Sequence, residues 1–253
     1  MSILSSSEFG ILRLTISRPT RRNSLTAEMF AELARQLRAA DADPKIRVVL
    51  LRSAESVFSA GADLEEALKQ EAALDAAAAD FFEVIQHFKK PIVAQVNGPA
   101  VGEAFALLLW CDLVYANQHA LFSLPAVALA RTPRWGTAVV LSAAAGYPRA
   151  AEKLLLSEPI SAEEARDMRL ITAVIDDEHL DSVVAQRVSR LAVLPPAAVQ
   201  ATKALLRSSR DRLTAAETDL EAALYRERRD SPEAKEALSA FLEGRKPVFA
   251  PAA

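Results

Sequence analysis

The chain carries a single cysteine, Cys111, among 253 residues, which excludes an internal disulfide framework and fits a reducing compartment. Histidine is almost as scarce: His87, His119 and His179 stand far apart, so no zinc site is expected. There is no basic excess, since 30 Lys and Arg face 33 Asp and Glu for a net charge of −3. A surface that neutralises nucleic-acid phosphates is therefore not expected. Long apolar runs are missing too, because the segment from Ala104 to Trp110 is stopped by Cys111 and Asp112. The first residues, MSILSSSEFG, lack a basic region followed by an apolar stretch and do not read as a secretory signal. These absences point to a soluble, cytoplasmic, metal-free protein with no nucleic-acid or membrane partner.

What is present suits a substantial core, with 51% hydrophobic and 25% charged residues. Leu12, Leu14 and Ile16 alternate with polar neighbours, as a half-buried strand does. Thr26 caps a helix whose apolar face is Phe30, Leu33, Ala34 and Leu37, and Asp43-Pro44 ends it. The runs 46–52 and 92–96 read as buried strands, with a helix over 74–88 between them and a short one over 65–75. LVYA (113–116) reads as a further strand and 173–175 as a short one. From Gly136 onward the pattern is mostly helical, with start signals at Ser161 and Ser231-Pro232. Helices are predicted over 178–193, 196–208, 214–229 and 232–243, with breaks at Pro195-Pro196, Asp211 and Asp230-Ser231. The expected organisation is an α/β core over 1–195 and a helical region over 196–253, forming one continuous domain.

Two segments hold local chemistry. In FSAGADL (58–64), Gly61 permits a positive φ, Ala60 and Ala62 leave backbone N–H groups uncovered, and Asp63 stands where it can cap a helix. NGPAVGEAFALLLWCDLVYA (97–116) repeats the theme, with Gly102 opening an apolar helix whose first N–H groups lack intrahelical partners. Two such donors aimed at one point stabilise an oxyanion, worth about 10²–10³ in rate per donor. The local pattern fits two ordinary strand-to-helix turns equally well.

Taken together with RPTRRNSL (18–25), EPISAEEARDMRLI (158–171) and FLEGRKPVF (241–249), these segments resemble those of the crotonase (enoyl-CoA hydratase/isomerase) superfamily, in its order and at its spacing. The resemblance runs from about Leu12 to Phe249, and its wording is most similar to bacterial relatives of the Δ3,Δ2-enoyl-CoA isomerase branch. It implies a spiral of ββα turns with a C-terminal helical region, a homotrimer or dimer of trimers, and an acyl-CoA or enoyl-CoA thioester as substrate. No cofactor is implied beyond the CoA that belongs to that substrate. By motif position the oxyanion donors are the backbone N–H groups of Ala62 and Glu103. The CoA groove is implied at Arg22, Ser24, Ala60, Ala62, Asp63 and Leu64, with Lys246 and Phe249 approaching the nucleotide. The acyl pocket is implied at Gly102, Ala106, Pro125, Ala126, Arg134 and Trp135.

The family's proton-moving carboxylates are missing from their positions. Ala106 stands where hydratases place one glutamate, and Ala126 after Pro125 where they place the other. Arg134 after Pro133 stands where the isomerase branch has its glutamate. Loss of one positioned acid or base typically costs about 10²–10⁴-fold. Glu103 is read first as an acid favoured near a helix start, and alternatively as an inward-turned replacement base. Asp63 is read as a structural cap, Glu65 and Glu66 as solvent-facing, and Cys111 as core. Arg134 either pairs with a carboxylate on the acyl chain or points to solvent. Three readings compete: a hydratase or isomerase with a divergent site, a non-catalytic acyl-CoA binder or carrier, and a different CoA-thioester reaction such as decarboxylation or hydrolysis.

Overall fold

The computed structural model describes residues 2–249. Strands β1 (Ser2–Glu8), β2 (Ile11–Ser17), β3 (Val48–Ser53), β4 (Ile92–Val96), β6 (Leu113–Ala116) and β9 (Ala173–Val174) form one sheet in that order. Within this sheet only the β1–β2 hairpin is antiparallel and the later pairings are parallel. A second sheet joins β5 (Ala100–Val101), β7 (Leu121–Ser123) and β8 (Ile160–Ser161). The resulting α/β architecture, with helices gathered toward the C-terminus, is the one expected from the sequence.

A parallel strand is covered on both faces, so its sequence reads as a continuous apolar run rather than an alternation. In β3, Val49 and Leu51 face the main core with α1 (Ala27–Ala42) and α2 (Leu64–His87). Val48 and Leu50 face the other way, against Leu180, Val184 and Val188 of α7 (Asp177–Val193). Thr26 caps α1 by accepting the Met29 N–H, and the buried face holds Phe30, Leu33, Ala34 and Leu37 as expected. Ser161 and Ser231 cap α6 (Ala162–Asp167) and α9 (Pro232–Glu243) in the same way.

Three expectations are corrected. The helices over 196–208 and 214–229 are one element, α8 (Pro196–Arg229), with no break at Asp211. No glycine or proline follows Pro196 in it, and Asp211 sits 3.6 Å from Arg207 one turn back, an arrangement a helix accepts. The helices over 65–75 and 74–88 are likewise merged into α2, bent at Gln70 (φ −146°, ψ 47°). The strand β1 was not expected, because SILSSSE is mostly polar and its register is set by pairing with β2.

The first part of α8 packs on its own chain's core. Lys203 Nζ donates to the Lys90 carbonyl and to Asp112, both at 2.7 Å. Arg207 and Arg210 reach the Phe88 and Leu109 carbonyls. No helix among the described residues is long and apolar enough to cross a membrane.

Candidate active site

The site is made by stitching two loops together. Ser59 N–H donates to the Pro99 carbonyl at 3.1 Å, and Val101 N–H donates back to the Ser59 carbonyl at 3.0 Å. Leu25 and Ala62 form a parallel bridge on the other side, with Leu25 N–H on the Gly61 carbonyl at 2.7 Å. At Gly61 (φ +84°), a Cβ would lie 2.5 Å from the Val101 carbonyl oxygen, so only glycine allows the loops to approach this closely. Gly102 (φ 56°, ψ −125°) then turns the chain from β5 into α3 (Glu103–Leu108) in a conformation reserved for glycine. Ala62 and Glu103 are thereby brought face to face.

Beneath them a buried arginine organises the first loop. The Arg18 guanidinium donates to Ser24 Oγ at 2.8 Å, to the Ser24 carbonyl at 3.1 Å and to Asp63 Oδ2. Asp63 Oδ1 accepts the Glu66 N–H at 2.8 Å, so this residue is the cap of α2, as expected. Burial pushes the Asp63 carboxyl up, but the Glu66 N–H, Arg18 and Ser24 outweigh it and hold the group below its ordinary value. Glu65 is exposed and paired with Arg21, whereas Glu66 is half-buried and accepts the Ala27 N–H at 3.2 Å rather than facing water freely.

The Glu103 side chain turns inward, against the reading placed first from the sequence. Its Oε2 accepts the Ala62 N–H at 3.0 Å. An N–H left unpaired by its own turn is a strong attractor for a carboxylate. The local sequence could not reveal this donor because it lies 41 positions away.

Ala62 and Glu103 stand at a narrow cavity of about 90 Å³. Gly102, Ala106, Pro125, Ala126, Arg134 and Trp135, all expected at the acyl pocket, line it together with Leu64. The wall also includes residues the sequence did not mark: Leu74, Asp75 and Ala78 from α2, then Leu129, Arg131 and Thr132, and Tyr225 from α8. These arrive from distant parts of the chain and have no local signature.

Arg134 does not simply point to solvent. It pairs with Asp75 at 2.7 Å within its own chain, and its guanidinium stacks between the Trp135 and Tyr225 rings, 3.8 and 3.9 Å from their centroids. Asp75 also accepts from Arg229 at 2.9 Å, and Arg131 pairs with Glu71 at 2.6 Å. Burial pushes the Glu71 carboxyl up and raises the Tyr225 phenol to about 12. Glu221, also raised by burial, accepts the Gly136 N–H at 2.9 Å. Among the described residues Arg131 Nε, Thr132 Oγ1 and Trp135 Nε1 are buried at this wall without a hydrogen-bond partner.

The remaining expected residues are more peripheral. Arg22 is exposed in a left-handed conformation (φ 50°), and its carbonyl accepts the Ala60 N–H at 3.0 Å. Ser24 and Asp63 direct their side chains to Arg18 and to each other. Lys246 and Phe249 are exposed on the segment after α9, whose hydrogen bonds run to Glu236 through Arg245 and the Val248 N–H. A second, more open cavity of about 430 Å³, between α3, α4 (Thr137–Ala145) and α8, does not include Ala62 or Glu103. Cys111 lines it, with a thiol pushed up by burial, and its acid Asp112 is already paired with Lys203.

Comparison with known proteins bears on this geometry. Residues 6–251 match the family model described as enoyl-CoA hydratase/isomerase. The chain is 32% identical to the 2,3-dehydroadipyl-CoA hydratase of Escherichia coli K12, covering 98% of both chains. It is 31% identical to enoyl-CoA delta isomerase 2 of Rattus norvegicus, over 97% of this chain and 64% of that one. In structure it is similar to an enoyl-CoA hydratase/isomerase from Pseudoalteromonas atlantica T6c, with a TM-score of 0.92 and 33% identity over 99% and 100% of the two chains.

Proposed function

The chain belongs to the enoyl-CoA hydratase/isomerase family, a branch of the crotonase superfamily, and from that premise we propose that it binds a short acyl-CoA thioester. The thioester oxygen takes up the Ala62 and Glu103 N–H groups as an oxyanion hole. The observation that carries this reading is that Ala62 and Glu103, joined by the Ala62 N–H on the Glu103 carboxylate, line one cavity together with all six residues expected at the acyl pocket. Preorganised donors of this kind stabilise developing negative charge without having to reorient during reaction.

CoA then runs along the rim at Arg22, Ser24, Ala60, Asp63 and Leu64, with Lys246 and Phe249 approaching its nucleotide. A cavity of about 90 Å³ favours a short acyl group. Three buried polar groups without partners, on Arg131, Thr132 and Trp135, favour an acyl group with a polar far end. No cofactor beyond CoA is required. The working form is a homotrimer or dimer of trimers, supported by an apolar stripe left exposed on α8. A cytoplasmic location is supported by the lone, buried cysteine.

Conventional hydration with two glutamates is not part of this proposal, since Ala106 and Ala126 occupy the positions where such acids would stand. Calorimetry with butyryl-CoA and with its S-butyl thioether, which lacks the carbonyl oxygen, tests the hole directly. The thioester is expected to bind at least tenfold more tightly, about 1.4 kcal/mol for one good pair of donors. Equal affinities would sink the reading. Succinyl-CoA, of the same carbon length, is expected to bind better than butyryl-CoA, and the reverse order removes the polar end from the proposal.

A further inference from the structure

Each carboxylate near the cavity except one is already engaged by a cation or held away from the hole. Asp75 is bracketed by Arg134 and Arg229 at 2.7 and 2.9 Å, and Glu71 pairs with Arg131 at 2.6 Å. Glu221 is held on the Gly136 N–H. Glu103 is different: among the described residues it makes one hydrogen bond, to a backbone N–H, and no ion pair. That N–H is the donor a thioester oxygen would need.

Resting on the thioester-binding reading above, we propose that Glu103 is the catalytic base of this site, that its carboxylate occupies the oxyanion hole in the free protein, and that it trades places with the thioester oxygen to move a proton at the substrate's α carbon. Displacement leaves the Glu103 backbone N–H at the hole while the freed carboxylate stays within one side chain's length of the thioester. Position and release are therefore supplied by the same residue.

One carboxylate restricts the chemistry to reactions that need one proton carrier. Allylic isomerisation of a 3-enoyl thioester meets that condition. Glu103 takes the α proton; the C–H electron pair becomes a bond between the carbonyl carbon and the α carbon, and the carbonyl π pair moves onto oxygen, where Ala62 and Glu103 N–H groups hold it. The resulting acid returns the proton to the γ carbon. The γ–β double-bond pair forms the new C–H bond, the α–β double bond forms, and the carbonyl is restored. Atoms and electrons balance with no oxidant, reductant or water consumed. In a saturated thioester the same residue exchanges the α proton with solvent.

Three substitutions separate resting on the hole from moving the proton. Glu103→Gln keeps an acceptor for the Ala62 N–H but cannot carry a proton at neutral pH. Glu103→Ala removes both functions, and Glu103→Asp keeps a shorter carboxylate. The protein and each variant, checked for unchanged circular dichroism, are incubated with butyryl-CoA in deuterium oxide, and α-proton loss is followed by NMR. Conversion of vinylacetyl-CoA to crotonyl-CoA is followed by absorbance, and butyryl-CoA binding by calorimetry.

The expected result is exchange and isomerisation in the unaltered protein, a loss of about 10²-fold or more in Glu103→Gln and Glu103→Ala, and partial activity in Glu103→Asp. Glu103→Ala is also expected to bind butyryl-CoA several-fold more tightly, because nothing competes for the hole. Exchange unaffected in Glu103→Gln, or absent from an unaltered protein that does bind the thioester, overturns the proposal. Weaker binding by Glu103→Ala overturns the exchange of places. Failure of the unaltered protein to bind any thioester would instead defeat the binding reading.

Discussion

At the scale of single residues, buried charge is handled by pairing, and Asp63 shows how much of the site's shape rests on one carboxylate. It caps α2 through the Glu66 N–H and faces Arg18, with both side chains at or below 10% exposed. Asp63→Asn keeps an acceptor for the cap but removes the charge opposite Arg18, and a loss of about 2–4 kcal/mol is expected. The pH dependence follows from the direction of the shift. Asp63 is held below its ordinary value in the fold, so its contribution is full above about pH 4 and is lost as pH falls through the lower folded value. Urea unfolding of the protein and of Asp63→Asn is therefore expected to differ most near neutrality and to converge as pH falls through the lowered folded value. A gap unchanged by acid would contradict this account. Caps of this kind were legible in the sequence, because Thr26, Asp63, Ser161 and Ser231 each accept from a residue three positions on. The orientation of Glu103 was not, and neither was the Asp75 bracket, whose arginines lie 59 and 154 positions away.

At the scale of elements, continuous apolar runs located the buried parallel strands and the helical period located α1, because burial on both faces or on one leaves its own pattern in the sequence. It misjudged α8, where a charged residue was read as a stop. Nothing in the local backbone breaks there, and the helix instead carries a row of basic side chains onto the core. Among these, Lys203 is 6% exposed and paired with Asp112 at 2.7 Å, and burial pulls its ammonium below the ordinary lysine value. Asp112 also accepts the Ile92 N–H at 2.7 Å, so this contact ties α8 to the β4 edge. Lys203→Met is expected to destabilise the fold by about 2–4 kcal/mol, chiefly by leaving Asp112 without its counter-charge. Adding Asp112→Asn preserves an acceptor for Ile92 and should recover part of that loss. A double-mutant cycle read by chemical unfolding is expected to give a coupling of about 0.5–3 kcal/mol, and additive effects would mean that the two residues do not act as a pair.

At the scale of the whole molecule, the remaining question is what covers the other side of α8. Lys203, Arg207 and Tyr225 are buried against the chain's own core, whereas Leu206, Leu213, Leu220 and Leu224 are 75%, 52%, 56% and 43% exposed. The first three are spaced by seven residues and the last follows one turn later, so they share one helix face. From Leu206 to Leu224 the stripe runs about 27 Å at the helical rise of about 1.5 Å per residue. Leu205, next to Leu206 on α8, is exposed as well, at 76%. A continuous stripe of this kind is disfavoured in water and marks a surface for association. The proposed trimer of three 27.4 kDa chains, in which this stripe would be the contact, is the smallest assembly consistent with the family resemblance. Light scattering after size exclusion at micromolar concentration is expected to return that trimer or twice its mass. Leu206→Glu together with Leu213→Glu places two charges in the stripe and should yield monomers that retain circular dichroism, because both positions are more than half exposed on the single chain. A monomeric unaltered protein, or a charged double variant that stays assembled, would remove α8 as the interface.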